Sequence, residues 1–371
     1  MSAVLAQAPG SPSQAGPARP ALAAGVRPPA PRLALLGTGT VGRAFVDRCE
    51  RLRAMGHAVP RFAWLANSRA CHDAAGGDDA TAGLAAIIAA PREAVPSAVG
   101  DGLQPGDVVV DATASEAVAE RHAGWLGRGI HVVTANKLGA GGPLVRAGAI
   151  TQASARGGGR YGDGATVGAG LPVLHCVRAL IAGGDRIHAV DGLLSGSLGW
   201  LFDRFDGSVP FSELVAAAAT GGFTEPDPRC DLSGEDIRRK LLILARAAGF
   251  DLHTDDVAVE SLLTPALSAS PVAALAAVLP GLDAGLAVRA QAAASAGCVL
   301  RMVGRVDAHG ARVALRSLPP GHALRGGRGT DNRVAIWSDR YRDQPLIIQG
   351  PGAGADVTAA ALLDDVLAIA G

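Results

Sequence analysis

Two lysines and a knot of carboxylates are the residues here most able to do chemistry. The stretch GGFTEPDPRCDLSGEDIRRK, from Gly221 to Lys240, places Glu225, Asp227, Asp231 and Asp236 just ahead of Lys240. On a helical wheel started at Ile237, Leu241, Leu244, Ala245 and Ala248 fall within about 80° of the centre. Lys240 falls about 60° off centre, on the same apolar side. An ammonium drawn out of water needs a partner, and Asp236 lies one turn earlier on that face. The bland reading is a lysine that snorkels to solvent, with Asp236 completing a capping box opened by Ser233. The chemical reading is a polar substrate pocket built around a desolvated ammonium. A second lysine, Lys137, follows the apolar run IHVVTAN. A lysine just past a central strand points into the crevice where open parallel sheets bind ligands, though a lone one is also an ordinary loop charge.

The elements that must position these groups start at Leu33–Leu36, a short apolar run of the kind covered on both faces. Gly37-Thr38-Gly39-Thr40-Val41-Gly42 follows and opens a helical pattern through Leu52. G-x-G-x-x-G between a strand and a helix permits a tight turn, close approach of a pyrophosphate and close helix packing, with helix N–H groups facing the phosphates. Gly37, Gly39, Thr40, Val41 and Gly42 are therefore candidate dinucleotide contacts. The second strand ends near Ala66, where NAD-specific sites place an acid for the ribose diol. Here Asn67, Ser68 and Arg69 follow, without a carboxylate. Arg69 either meets a 2′-phosphate, which favours NADP or dual use over NAD alone, or is a solvated loop charge. A buried run Val108–Val110 then delivers Asp111-Ala112-Thr113 to the same crevice.

From Tyr161 the texture changes. A glycine-rich loop opens a helix at Leu171-Pro172, IHAVDGLLSG reads as a strand, and a helix follows from Leu198 to about Phe205. Phe211–Thr220 is helical. Pro226 and Pro228 forbid helix through TEPDPRCD, which predicts a stiff, extended loop. CVLRMVGRVDAHGARVALRSL reads as two strands around His309-Gly310. This second region alternates strand and helix without a second nucleotide fingerprint, as expected of a substrate domain with an antiparallel or mixed sheet.

The bulk properties bound the function. The 371 residues suit one large or two ordinary domains, and 49% hydrophobic residues supply a core. Net charge is zero, so no basic field exists to hold nucleic acid or an anionic membrane, and a small-molecule partner is expected. The five cysteines are an odd number without a C-x-x-C pair, which fits a reducing cytoplasm. No apolar run of about 18 residues stands out, so no membrane span is expected. Residues 1–31, rich in Ala and Pro, read as a disordered tail rather than a secretory signal.

Taken together, GTGTVG, TANK, ATVGAGLPVL, LLSGSLGWLF, GGFTEPDPRCDLSGEDIRRK and GPGAGADVTAA resemble the homoserine dehydrogenase family in order and spacing, from Leu33 to the C-terminus. The Glu-Pro-Asp-Pro to Lys block is the most specific of these. The resemblance implies an α/β protein with a Rossmann-type dinucleotide-binding domain (residues 32–160) and an α+β substrate and dimerisation domain (residues 161–345). Residues 346–371 would form a C-terminal helix returning to the nucleotide domain. It implies NADP- or NAD-dependent, reversible oxidation of L-homoserine to L-aspartate 4-semialdehyde, on the route to threonine and methionine, by a homodimer. By the same resemblance Lys240 is the acid–base residue, with Lys137 and Thr113 by the nicotinamide and Gly354 near the cofactor. Glu225 and Asp236 hold substrate, with Asp231 close by. The chemistry suits these residues: Lys137 and Lys240 can stabilise the oxyanion that develops at the aldehyde, and one can deliver its proton. Glu225 suits the substrate ammonium, and the N–H groups of Gly196 and Ser197 suit its carboxylate.

Three positions depart from the family. Cys230-Asp231 stands where relatives often have two aspartates, and Cys230 is expected to be a small buried residue. Phe223 stands where tyrosine is common. Tyr161-Gly162-Asp163-Gly164 replaces a Tyr-Glu entry, with the acid position on Gly164. That stretch resembles a loop for sodium or potassium, with backbone donation from Gly164, Val167, Ala169 and Leu171. The sequence after Gly352 leaves no room for an appended ACT domain, so threonine inhibition through one is not expected. Two other readings compete: a dehydrogenase of another small amino or hydroxy acid, and a catalytically silent dinucleotide-binding regulator, for which two retained lysines are superfluous.

Overall fold

The structure, a computed structural model, describes residues 30–74, 79–90 and 102–371. The tail expected over residues 1–31 lies outside them apart from its last two residues. Two six-stranded sheets organise the described chain. The first comprises β1 (Leu33–Leu36), β2 (Phe62–Ala66), β3 (Cys71–Asp73), β4 (Val108–Asp111), β5 (His131–Thr134) and β6 (Tyr161–Gly162), in the order β3-β2-β1-β4-β5-β6. All neighbours are parallel except β2 and β3. Strand order reverses at β1, so a crevice opens beyond the C-terminal ends of β1 and β4, where doubly wound sheets bind ligands.

The strand sequences explain this arrangement. Every residue of β1 and β4 is buried. Side chains alternate faces, so Leu33, Leu35, Val108 and Val110 enter one core while Ala34, Leu36 and Val109 enter another. The first core holds Phe45 of α1 (Thr40–Ala54), Leu84 of α2 (Ala80–Ala89) and Leu362 of the C-terminal helix (Ala355–Ala370). The second holds Trp125 of α3 (Glu116–Gly127) and Ile150 of α4 (Leu144–Gly157).

The second sheet comprises β7 (Ile187–Leu193), β8 (Val257–Val259), β9 (Val299–Asp307), β10 (Gly310–Leu318), β11 (Asp331–Ser338) and β12 (Leu346–Pro351). Its order is β12-β11-β7-β9-β10-β8, antiparallel except for β10 and β8. The hairpin expected around His309-Gly310 is β9–β10. Helices α5 (Val173–Ala182), α6 (Gly196–Arg204), α7 (Phe211–Thr220), α8 (Arg229–Leu232) and α9 (Glu235–Ala247) bury their apolar sides in a core shared with this sheet.

Several local expectations change. Tyr161 and Gly162 pair with Val132 and Val133, so the first sheet extends two residues beyond the boundary at 160. Leu346–Pro351 pairs with β11, and only the helix after it packs on α1. A two-residue strand and an edge strand leave little pattern to read. The proline-rich loop is not wholly extended: Pro228, at φ −62° and ψ −14°, starts the single helical turn α8. The capping box is also absent. α9 begins after left-handed Gly234 (φ 79°), and Ser233 Oγ accepts from Glu235 N–H at 3.2 Å. Cys230 is exposed rather than buried. One helical run, Val272–Ser295, is long and apolar enough to cross a membrane by length and composition, contrary to the reading of the sequence. Its Leu275, Leu279, Leu282 and Leu286 face the core of the second region.

Two glycines of the first turn separate folding from binding. A Cβ built on Gly42 would lie 1.9 Å from the Gly37 carbonyl oxygen, whereas one on Gly39 meets nothing within 4 Å. Gly42→Ala is therefore expected to cost about 2–4 kcal/mol in chemical denaturation. Gly39→Ala should unfold like the parent protein and lose dinucleotide affinity in a fluorescence titration.

Candidate active site

The glycine turn is shaped by backbone contacts. Gly37 has φ 99°, donates its N–H to Ala66 O at 2.8 Å, and a Cβ there would meet Ala112 O at 2.8 Å. Gly39 caps α1 without a side chain, which leaves the helix N–H groups open. A cavity of about 810 Å³ extends from Gly37–Gly39 past Asn67–Arg69 to Thr113. Arg43, Arg69 and Arg121 line it, and among the described residues no carboxylate does. Asn67, given no role from sequence, shapes its wall: Nδ2 donates to Thr38 Oγ1 at 2.9 Å, and Oδ1 accepts the N–H groups of Arg69 (2.7 Å) and Ala70 (3.0 Å). Thr40, Val41 and Gly42 form the first turn of α1 behind this wall.

The two lysines meet on one carboxylate. Lys240 is 8% exposed, as its place on the wheel requires. Its Nζ lies 2.7 Å from Asp236 Oδ2 and donates to Leu194 O at 2.7 Å. That uses two of its three N–H bonds and leaves one for a ligand oxygen. Lys137, after β5, places its Nζ 3.6 Å from Asp236 Oδ1. Burial lowers the Lys137 pKa below 10.5, against the pull of Asp236, and Lys240 lowers it further by repulsion. For Asp236 burial acts upward, but Lys240 and then Lys137 act downward and prevail, so the carboxyl sits below its ordinary 3.8. The result is a carboxylate that stays ionised and, at Lys137, an ammonium whose pKa has moved toward neutral pH.

The other acids lie around the start of α6. Both oxygens of Asp231 are engaged by protein: Oδ1 accepts from Ser197 O–H at 2.7 Å and Oδ2 from Glu225 N–H at 2.9 Å. Asp231 thus ties the start of α6 to the loop bearing Glu225, beside the place expected for the substrate. The Glu225 side chain is exposed. Ser195 caps α6 by accepting from Leu198 N–H at 3.2 Å, beside Gly196 and Ser197. Gly354 starts the C-terminal helix and is not among the residues lining the nucleotide cavity. In the loop expected to donate carbonyls, Leu171 O already accepts from Val173 N–H at 2.8 Å, and Gly164 N–H donates to Asp365 at 2.8 Å. Ala169 is left-handed at φ 51°. Among the described residues no group of three or more His, Cys, Asp or Glu side chains is placed to hold a metal ion.

The family model described as homoserine dehydrogenase matches residues 172–367, and the one described as homoserine dehydrogenase, NAD binding domain, matches residues 37–161. The chain belongs to the homoserine dehydrogenase family. It is 39% identical over 279 residues to the homoserine dehydrogenase of Emericella nidulans, covering 71% of this chain and 76% of that one. It is 45% identical over 260 residues to bifunctional aspartokinase/homoserine dehydrogenase 2 of Escherichia coli, covering 70% of this chain. The chain spans about a third (32%) of that bifunctional relative. A crystal structure of a Candida auris protein of unknown function superposes with a TM-score of 0.82 at 33% identity, covering 91% of this chain and 98% of the other. The matched models bracket both halves of the geometry: the glycine turn and Lys137 fall in one, and Asp236 and Lys240 in the other.

The pairing predicts a pH signature. Because the folded Asp236 pKa lies below its unfolded value, its contribution to stability is present above about pH 3.8 and fades as pH falls through the folded value. Lys240→Met removes the strongest downward pull, so the acid-side loss of thermal stability should move to higher pH, by up to about one unit. Melting curves from about pH 3 to 7 check this, and coincident curves would contradict the ion pair.

Proposed function

We propose that the chain catalyses reversible oxidation of L-homoserine to L-aspartate 4-semialdehyde, with NADP preferred over NAD. The observation that carries the reading is a single carboxylate, Asp236, holding two ammonium groups, one from each region of the fold, beyond the sheet end that receives the dinucleotide. A nicotinamide held in the cavity beside Thr113 would supply the hydride acceptor for the alcohol carbon, and the hydride donor in the reverse direction. The third N–H of Lys240 meets the reacting oxygen, stabilises its negative charge and exchanges its proton. Lys137 adds a second positive charge. The exposed Glu225 carboxylate receives the substrate ammonium, and the α6 start at Gly196 and Ser197 receives its carboxylate. A cavity lined by Arg43 and Arg69, with no acid among its described lining residues, supports the 2′-phosphate of NADP, with Arg69 its nearest partner in sequence terms.

Two further parts complete the proposal. The face of the second sheet opposite α9 carries Trp337 and Ile347, the latter 40% exposed, which supports a homodimer formed through that face. A sodium or potassium ion held by carbonyls around left-handed Ala169 is the other part, and rates with and without each ion test it. A left-handed non-glycine residue costs on the order of 1 kcal/mol and persists where its surroundings demand it.

Lys240→Ala is expected to lower kcat by roughly 100- to 10,000-fold in the 340 nm assay, with NADP affinity nearly unchanged. Near-normal turnover would remove Lys240 from its role. Arg69→Ala should raise the KM for NADP roughly tenfold and leave NAD unaffected. Binding of NADP without any homoserine-dependent absorbance change would favour a silent regulator. Faster turnover of simple 2-hydroxy acids than of homoserine would favour another dehydrogenase.

A further inference from the structure

Asp111 has no part in the reaction as drawn, yet its side chain is fully buried at the C-terminal end of β4. Its two oxygens accept from four donors. Oδ1 takes the Thr113 N–H at 2.9 Å and the Thr113 hydroxyl at 2.7 Å. Oδ2 takes Asn136 Nδ2 and His122 Nε2, each at 3.0 Å. These four bonds fill the acceptor sites of a carboxylate. His122 is itself fully buried, and its Nδ1 lies 3.3 Å from the Tyr161 hydroxyl. With Nε2 donating to Asp111, Nδ1 is left to accept from Tyr161.

Two of these partners reach the turns that face ligands. Thr113 lines the nucleotide cavity, and its Oγ1 accepts the Ser115 N–H at 3.1 Å. Asn136 immediately precedes Lys137. Its Oδ1 accepts the Leu138 N–H at 3.1 Å, and its Nδ2 also donates to Ser115 O at 2.8 Å. Asn136 therefore closes the backbone around Lys137 and ties it to the turn bearing Thr113. An apolar side chain here would strand these buried donors, so the carboxylate serves the fold as well; the further point is that its donors sit on the two turns that face ligands. A carboxylate, unlike an amide, accepts from all four donors at once.

We propose that Asp111 is a positioning residue. One buried carboxylate fixes Thr113 at the nicotinamide end of the cavity and, through Asn136, the turn that aims Lys137 at Asp236. The inference rests on the dehydrogenase reading, which assigns the nicotinamide end and the role of Lys137. Asp111→Asn keeps the shape but turns one acceptor into a donor, which then faces N–H and O–H groups. Displacing reacting groups by about 1 Å costs on the order of 100-fold in rate.

The test is the rate of homoserine oxidation, expressed per NADP-binding site titrated in the same preparation, for the parent protein, Asp111→Asn and Asn136→Ala. Counting sites removes any misfolded fraction. Expected is a fall in kcat per site of roughly 100-fold for Asp111→Asn and about tenfold for Asn136→Ala, with KM for homoserine and Kd for NADP within about threefold of the parent. If Asp111→Asn yields no binding sites, Asn136→Ala carries the test. An unchanged kcat per site means Asp111 serves the fold alone and overturns the proposal. A parent protein silent toward homoserine overturns the reaction reading and this inference with it. An active parent with unaffected variants overturns this inference alone.

Discussion

Asp236 sits between two ammonium groups, 2.7 Å from Lys240 and 3.6 Å from Lys137. Each lysine comes from a different region: Lys137 follows a strand of the nucleotide-binding sheet, and Lys240 lies on a helix packed against the second sheet. Neither region can assemble the group alone. The carboxylate keeps two like charges together beyond the end of the nucleotide-binding sheet, and the charges in turn keep the half-exposed carboxylate ionised. A partly exposed ion pair of this kind contributes little net stability, so on the proposed reaction its worth lies in holding charges where charge develops.

The rest of the fold serves that placement. The double-faced burial of β1 and β4 fixes the crevice, and the glycine turn brings a dinucleotide to it. Asn67 shapes one wall of the cavity, and Asp111 holds Thr113 at another. On the second sheet, the Leu194 carbonyl at the end of β7 anchors Lys240, while Asp231 ties the start of α6 to the loop bearing Glu225. This end of the second region is thereby held by contacts among protein groups, the condition for electrostatic preorganisation on the proposed reaction.

Much of this was legible in the sequence because it depends on local periodicity and spacing. The strand–glycine turn–helix unit, the burial of Lys240 and its pairing with Asp236 follow from patterns within a few residues. Lys137 was a candidate, but its contact with Asp236 joins residues about a hundred positions apart, which no local pattern encodes. The same holds for the Leu194 carbonyl, a backbone acceptor available at any position, and for His122 and Asn136, single polar residues within ordinary helix and loop texture. Asp231 was seen as an acid near the site, but only geometry reveals that both its oxygens are already engaged. The helical turn after Pro228 escaped because proline both blocks a helix and starts one. The apolar run from Val272 to Ser295 escaped because its Pro280 and Gly281 interrupt the pattern to the eye while the helical path continues through them.

The joint hold of Asp236 on the two lysines is tested most directly by the single-turnover rate of hydride transfer in Asp236→Asn, with NADP and homoserine saturating. The amide keeps the size of the side chain and removes the charge that both ammonium groups share. Expected is a fall on the order of 100-fold or more, with NADP binding unchanged. A rate within a few-fold of the parent protein would show that the two ammonium groups find their places without this carboxylate, and would contradict the account.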